Sequence, residues 1–536
     1  MIYSWLCILP PLVVILVTIL TRNVIISLAS GIFTACLIAT NLNLFSAVIL
    51  ATQRLFQETH ISGLTTGNNL DHVYTFSFLF LLGVLIQIMN HSGGIRAYTH
   101  FLLKFIKTPK RAQQTSLALS STLFIDDYVN NLTVGAIMRP VTDHFKIARA
   151  KLAFLLDSMS GPLCMLIPAS SWVAFILAQM QASGITNSDS PDTLIQQDAL
   201  FVYIACIPFL MYPILIVFSV WVITLFNLSF GAMGKQEAEA KKTGNLYGGK
   251  PPLHVANTAH EQLQGTLLDF ILPISAFILG FLAAIAYSGK SVIFGGQAHF
   301  MQMLQEADPF WSLWVASMLG VTMALIVLLS KNSLHNFYYI GKAFWNGFML
   351  MKNSLIILLL AWTLSTLLKN DLHTGTYLAE LLPHDLPVAY LPFLMFIFCL
   401  GISVSTGSVW GTIALMLPLA IPLYYKLALG SPTFLNNLYP LLGALFSGAV
   451  AGSHFSPITD AMIMTSFSAG CYHLDHVRTQ ISYASSALIG SLTGFLILCS
   501  LPSTFSYGAT IAVCLGTGVG VAATLLFIRA SFGKKE

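Results

Sequence analysis

The sequence predicts an all-α polytopic membrane protein. It is built from two inverted-topology repeats, each with a paired helical hairpin and a broken transmembrane helix. Three observations carry this reading. Hydrophobic residues make up 56% of the chain and charged residues only 9%, against about 25% charged in a soluble domain. A soluble chain of this make-up could not cover its surface with polar groups. No charged residue occurs in 199–234, 386–425 or 480–528, and a bilayer-spanning helix needs about 20 such residues. These runs are continuous, whereas a membrane barrel shows short alternating segments. Finally, one order of elements occurs twice.

Basic loops mark the cytoplasmic side. They are 92–111, with Arg96, Lys104, Lys107, Lys110 and Arg111, then 139–151, with Arg139, Lys146, Arg149 and Lys151. The stretch after Phe230 holds Lys235, Lys241, Lys242 and Lys250, and the tail holds Arg529, Lys534 and Lys535. The opposite set, 55–71, 181–198, 289–308, 369–387 and 426–438, is poor in Lys and Arg and faces outside. The first apolar run lacks the basic start and small-residue cleavage site of a signal peptide, so it reads as a retained helix ending at Arg22. A second helix returns outward. Then 73–91 goes in, 112–138 starts and ends inside, 152–180 goes out and 199–228 comes in. In the second half 267–288 goes out, 309–330 in and 346–368 out, while 388–425 starts and ends outside. Residues 437–453 go in, 480–500 out and 505–528 in. This makes eleven crossings plus two pairs, with the C-terminus in the cytoplasm. The pairs are short enough to re-enter or to span.

The repeat follows from this trace. A helix, a Gly-bearing loop at His91-Ser92-Gly93-Gly94, the pair 112–138 and a helix broken near Pro162 and Pro168 form the first block, about 73–180. A helix, the loop His373-Thr374-Gly375, the pair 388–425 and a helix broken near Gly452 and Pro457 form the second, about 346–470. The first enters its pair from inside and the second from outside, as in inverted repeats. Domain organisation follows: an N-terminal membrane half, 1–230, a cytoplasmic linker, 231–266, with Pro251-Pro252, and a C-terminal membrane half, 267–536.

Charges inside apolar runs are the candidate site, because an ionisable group in hydrocarbon costs roughly 2.5 kcal/mol or more and persists where it faces a cavity or partner. The pair 112–138 holds only Asp126 and Asp127, beside Asn130 and Asn131. The run 152–180 holds only Asp157, followed by Ser158 and Ser160. From 427 to 474 the only charge is Asp460, after Ser456 and Thr459. Oxygen-rich surroundings suit a hard cation, and Pro and Gly at these points free backbone carbonyls as further ligands. Burial favours the protonated form of a carboxylate, so proton and cation can compete for it. Structural readings stand beside these: Asp126, Asp127 or Asp460 as helix caps, Asp157 as a partner of Lys151 or Arg149, and His454 as a core histidine. The run Ser403–Ser408, with Ser405 and Thr406, either faces the site or packs helices. His473, Asp475, His476 and Arg478 form a pH-sensing or gating cluster or a solvated loop. The eight cysteines form no Cys-x-x-Cys, so neither a transition-metal site nor a disulfide framework is expected. No cofactor and no nucleic-acid partner is implied by a net charge of +4.

Three motifs then carry a resemblance. Phe124-Ile125-Asp126-Asp127-Tyr128, Met138-Arg139-Pro140-Val141-Thr142-Asp143 and Lys151–Ser158 form the first. Ser405-Thr406-Gly407-Ser408-Val409-Trp410-Gly411-Thr412 with Met416-Leu417-Pro418 forms the second. Gly452–Asp460 with His473–Gln480 forms the third. In order and spacing these resemble the NhaC family of sodium/proton antiporters over nearly the whole chain. The resemblance implies a multi-pass carrier of the bacterial cytoplasmic membrane that exchanges sodium, or a related ion, for protons. Asp126, Asp127, Asn130, Asp157, Ser158, Ser405, Thr406, Ser456, Thr459 and Asp460 would bind the ion, and His454 would join the gating group. Ser453 and Tyr472 stand where an acid is expected, which bears on the ion and the stoichiometry. Some relatives carry small organic acids or amino acids, so a sodium- or proton-coupled carrier of such a substrate is the alternative. An enzyme is not expected, since no Gly-x-Ser-x-Gly or His-Glu-x-x-His occurs. The oligomeric state, a homodimer included, stays open.

Overall fold

The structure is a computed structural model. It describes all residues except 1–4, 22, 60–69, 105, 188–192, 253–264, 299–301, 304–305, 332–335, 375–376, 378–386, 430–433, 458, 502–505 and 534–536. Gly375 of the second block, most of the expected linker after 252, and Lys534 and Lys535 therefore lie outside the described residues.

The fold is helical throughout. The first half comprises α1 (Leu9–Thr21), α2 (Val24–Ala39), α3 (Leu44–Glu58), α4 (Asp71–His91), α5 (Gly94–Leu103), α6 (Pro109–Thr122), α7 (Asp127–His144), α8 (Arg149–Leu166), α9 (Ser171–Ala182), α10 (Ala199–Cys206) and α11 (Met211–Leu225). Then come α12 (Gly231–Thr243), α13 (Leu268–Ser288), α14 (Pro309–Leu329), α15 (Asn336–Thr366), α16 (Leu391–Thr406) and α17 (Val409–Ala428). The chain closes with α18 (Phe434–Phe455), α19 (Asp460–Ala469), α20 (His473–Ser500) and α21 (Tyr507–Gly533).

Eight helices are long and apolar enough to cross a membrane, and up to eleven if three bent pairs are each one span. Both limbs of the second pair, 388–406 and 409–428, are among the eight, whereas the first pair is shorter. The count of eleven thus arises from a different set than the sequence reading expects. α1 and α2, read there as crossings, have only 13 and 16 residues, about 20–24 Å of helix. Leu12, Leu16, Leu279, Leu282, Ile326 and Phe527 are exposed on outer helices, the surface that lipid would cover.

The breaks have a local cause. Ile167 precedes Pro168 and takes an extended backbone, ψ 115°, because the proline ring disfavours the helical region for the residue before it. The α8–α9 pair bends there by 45°. α18 likewise stops at Phe455, just ahead of Ser456-Pro457. Ser170 restarts the chain as α9 by accepting the Val173 N–H at 3.2 Å, a serine N-cap.

The two blocks meet where α4 crosses α15. A Cβ on Gly83 would lie 2.5 Å from the Gly347 carbonyl oxygen, and one on Gly347 2.6 Å from the Val84 nitrogen. Only glycine at both positions lets the backbones approach this closely. A similar contact seats the second hairpin on its broken helix: a Cβ on Gly452 would be 2.4 Å from the Ser403 Cβ, and Ser403 donates to the Ala449 carbonyl at 2.6 Å.

The expected linker begins as ordered structure. α12 packs on α8 and α20, with Glu237 3.3 Å from Lys151 and accepting from Ser229 at 2.5 Å. After it, Lys250 pairs with Asp475 at 2.7 Å, Tyr472 donates to the Pro251 carbonyl at 3.1 Å, and the Arg149 guanidinium lies 4.7 Å over the Tyr247 ring. Residues 246–251 therefore clasp the start of α8 to the start of α20.

Candidate functional site

Both hairpin tips and both helix breaks converge on one cavity of about 30 Å³. It is lined by Asp127 and Tyr128 from the first tip, Gly407 to Trp410 from the second, and Asp157, Ser160 and Gly161 from α8. Trp172 of α9, with Ser453, His454, Thr459 and Ala461 around the α18–α19 break, completes it.

The first tip is fixed by its own side chains. Asn130, fully buried, donates Nδ2 to the Ser120 carbonyl at 2.7 Å and to the Leu123 carbonyl at 3.2 Å. It satisfies carbonyls that the end of α6 leaves free. Asp126 accepts the Tyr128 N–H at 3.1 Å and the Ser171 hydroxyl at 2.9 Å. It thus caps α7 and ties the tip to the start of α9. The Ser171 N–H, donating to the Ile125 carbonyl at 2.9 Å, doubles that tie. Asp127 turns toward the cavity and accepts the indole N–H of Trp172 at 2.9 Å. The cap reading thus describes Asp126, while Asp127, also met by backbone N–H groups of the helix start, lines the cavity.

The second tip turns at Gly407, φ 66°, a left-handed conformation that glycine adopts without strain. Ser408 accepts the Gly411 N–H at 3.0 Å and starts α17, whose first residues face the cavity. Across from it, Thr459 donates to the Ser453 carbonyl at 2.9 Å, holding the α18–α19 break in shape.

Asp157 sits in mid-helix, 2% exposed. Neither Lys151 nor Arg149 pairs with it. Lys151 reaches Glu237 and Arg149 reaches Asp143 at 2.8 Å, because both point back from the start of α8 toward the clasp. The Asp157 carboxylate instead accepts from Gln480 at 3.0 Å and Thr465 at 3.4 Å. His454 Nε2 lies 4.0 Å away, and its Nδ1 is 2.9 Å from the Tyr212 hydroxyl. Among the described residues no lysine or arginine pairs with Asp127 or Asp157. An unpaired buried charge costs several kcal/mol, so a proton or a bound cation has to neutralise these carboxylates.

The remaining sequence candidates divide. His454 and Thr459 line the cavity. Thr406 adjoins it at Gly407, and Ser456 is fully buried in the break. Ser158 is fully buried beside Asp157, its hydroxyl without a hydrogen-bond partner, but it is not among the lining residues. Ser405 is not brought to the cavity: it is exposed and donates to the Gly401 carbonyl at 2.8 Å, being on the face of α16 opposite Ser403. Asp460 opens α19, and its side chain lies outside what the structure describes. His473, Asp475 and His476 gather at the start of α20 and are not among the lining residues, and Arg478 is exposed. Trp172, Thr465 and Tyr212 are additions that sequence reasoning missed; Ser408 belongs to the run 403–408 already read as facing the site or packing helices, and Trp410 and Gln480 stood in the motifs without a role. The Ser-x-Trp pattern at both helix starts, Ser170–Trp172 and Ser408–Trp410, is the signal that could have flagged the two tryptophans.

At another end of the bundle, Asp71, Asp198 and Asp308 open α4, α10 and α14. Burial pushes the Asp198 carboxyl up to about 7, and the nearby charges of Asp308 and Asp71 add to this. Burial also raises Asp308 above the usual carboxylate range. This acidic end comes from the loops that the charge pattern assigns to the outside.

A model of the Na+/H+ antiporter family matches residues 163–499. An uncharacterized protein of Haemophilus influenzae is 30% identical over 495 residues, covering 92% of this chain and 90% of that protein. Among solved structures, the YdaH transporter of Alcanivorax borkumensis aligns with a TM-score of 0.44 at 13% identity, over 87% of this chain and 89% of that one. MtrF of Neisseria gonorrhoeae, described with a class of antimetabolite efflux pumps, aligns with a TM-score of 0.44 at 14% identity, over 83% and 86%. The family match spans well over half of the sequence, and this integral membrane protein belongs to the Na+/H+ antiporter family.

Proposed function

We propose that the protein exchanges sodium, or a related monovalent cation, for protons at the cavity between the hairpin tips. The observation that carries this is the pairing of two buried carboxylates, Asp127 and Asp157, on one small cavity with no lysine or arginine bound to either among the described residues. Hydroxyls of Ser160, Ser408, Ser453 and Thr459 complete an oxygen-rich lining of the kind that replaces the hydration shell of a hard cation. With the cation absent, protons neutralise the carboxylates. With it present, its charge does so and protons leave. Competition for the same oxygens couples the two fluxes without any covalent step.

Alternating exposure would come from the two blocks. Each brings a hairpin and a broken helix to the cavity, and in opposite orientation they would open it to opposite sides. The same reading places the protein in the bacterial cytoplasmic membrane with its C-terminus in the cytoplasm.

A second reading, coupled carriage of a small organic anion, is favoured by one feature. α17 turns its N-terminus, Ser408 to Trp410, to the cavity, and helix N-termini attract anions. Against it, two carboxylates, Asp127 and Asp157, line the same cavity and would repel a second negative charge.

The test uses proteoliposomes with a trapped pH dye and an imposed proton gradient. Sodium, lithium or potassium is added outside. We expect one of these to dissipate the gradient, and Asp127→Asn and Asp157→Asn each to abolish the response. If no cation acts while a labelled amino acid or carboxylate exchanges, the organic reading replaces this one.

A further inference from the structure

His454 lines the cavity together with Asp127 and Asp157, and an imidazole with carboxylates is a common ligand set for zinc and its neighbours. The proton on its ring decides whether it can act so here. Nδ1 is 2.9 Å from the Tyr212 hydroxyl, with the rings edge to face at 5.5 Å. Tyr212 is fully buried and His454 is 3% exposed. Among the described residues the phenol has no other hydrogen-bond partner. A buried phenol proton without an acceptor is costly, so the hydroxyl donates and Nδ1 accepts. A neutral imidazole whose Nδ1 accepts carries its proton on Nε2. The other edge of the ring agrees. Nε2 lies 4.0 Å from the Asp157 carboxylate, and the ring is hydrogen-bonded to the Asp157 backbone. In mid-helix that backbone offers a carbonyl, its N–H being spent within the helix, and a carbonyl requires a donor. The ring therefore shows the cavity an N–H and no lone pair.

We propose that Tyr212 is a selectivity residue: by holding His454 in the Nε2–H form it keeps divalent transition-metal ions out of a cavity that takes a monovalent cation. The inference rests on the exchange reading above for the ion and for its access to the cavity. Carboxylates and hydroxyls suit a hard cation, whereas an imidazole nitrogen adds affinity for cobalt, nickel, copper and zinc. Asp157 and His454 are close enough to share such an ion, since 4.0 Å is within two ligand bonds of about 2.0–2.2 Å each. Binding at Nε2 needs the ring proton to move to Nδ1. The hydrogen bond to Tyr212 would then reverse and leave the phenol proton buried without an acceptor. Tyr212 touches no ion. It is a positioning residue that acts through His454.

The fold fixes this pair from one helix face. The chain bends by 49° between α10 and α11, and Tyr212 follows the bend. Its N–H, left free at the start of α11, donates to Ser447 Oγ at 3.4 Å. Ser447 and His454 are seven residues apart on α18, two turns along the same face. One turn before Ser447, a Cβ on Gly443 would lie 2.5 Å from the Phe209 Cβ, so α18 sits tightly against the bend. The phenol is therefore held in place by contacts independent of His454.

The test is a cobalt(II) titration of the purified full chain, read by the visible absorption of the bound metal, with zinc inhibition of sodium-driven proton flux in proteoliposomes beside it. Wild type is compared with Tyr212→Phe, His454→Gln and the double variant. Glutamine keeps an N–H but offers no nitrogen lone pair. Histidines elsewhere bind alike in all four proteins and cancel. We expect Tyr212→Phe to bind cobalt about tenfold more tightly than wild type, the scale of one buried hydrogen bond, at a site that the double variant lacks. Zinc should slow its flux, relative to its own zinc-free rate, at about tenfold lower concentration on the same scale. Cobalt binding equal to wild type overturns the inference, and so does a gain that persists in the double variant. A nitrogen-15 histidine spectrum of wild type, assigned by the signal lost in His454→Gln, should show the proton on Nε2. A proton on Nδ1 overturns the inference without any tyrosine variant. If wild type moves neither sodium nor protons, the exchange reading falls, and the cobalt comparison alone decides whether Tyr212 fixes the His454 proton.

Discussion

Asp126, Asp127 and Asp157 are held in three different ways, and this sets what each can do. Asp126 spends its two oxygens on Tyr128 and Ser171, so it orders the tip. Asp127 accepts the Trp172 indole N–H and backbone N–H groups at the start of α7, and it still faces the cavity. Removing the indole donor should therefore act on ion binding rather than on the fold. Trp172→Phe keeps an aromatic ring beside Trp410 and loses the N–H, together with the far edge of the indole that rests on Gly161. A hydrogen bond to a charged group contributes about 1.5–3 kcal/mol, which is roughly a tenfold or larger fall in apparent sodium affinity. A sodium titration of the dye response at fixed pH measures it, and unchanged affinity would remove Trp172 from the site. The acids themselves were legible in the sequence because a charge in an apolar run demands a partner. Trp172, Gln480 and Tyr212 were not, because their roles come from contacts across the chain that spacing does not encode. Ser405 shows the same limit from the other side: the polar run 403–408 was visible, but which hydroxyl faces inward depends on the helix register.

Elements were legible wherever local chemistry decides them. Ile167-Pro168 and Ser456-Pro457 break their helices through proline sterics, and the tips lie between apolar limbs. The order of α16, lined up behind the second tip, and of α18 and α19 follows the expected second block. α12 was hidden because a short polar helix carries the composition of a linker. Its order comes from Glu237 meeting Lys151 across the bundle. The α4–α15 crossing was likewise invisible, although its energetic demand is plain. Gly83→Ala puts a methyl 2.5 Å from a backbone oxygen, which no rotamer relieves. Overpacking of this kind costs about 1–3 kcal/mol. Thermal unfolding in detergent should show a lowered transition for Gly83→Ala. Gly341→Ala, on the same α15 with open space around it, should leave it unchanged or raised. Equal transitions in the two variants would mean the helices do not cross at this pair.

On the scale of the whole molecule, the crossing and the charge pattern make one argument. Gly83 of α4 and Gly347 of α15 meet reciprocally, as the corresponding helices of two blocks do when a two-fold axis passes between them. An axis in the membrane plane inverts one block relative to the other. Loops flanking the first block's hairpin and the second's must then face opposite sides. Lys110 and Lys426 mark these sides, since both are exposed and lie beside the first and the second hairpin respectively. Native thiols interfere little with a test, because seven of the eight cysteines are buried and Cys499 is half-buried. In intact cells a membrane-impermeant maleimide should label Lys426→Cys and spare Lys110→Cys. In inside-out vesicles the pattern should reverse. Labelling of both from one side would break the inverted arrangement, and with it the means by which a single cavity is opened to the two sides in turn.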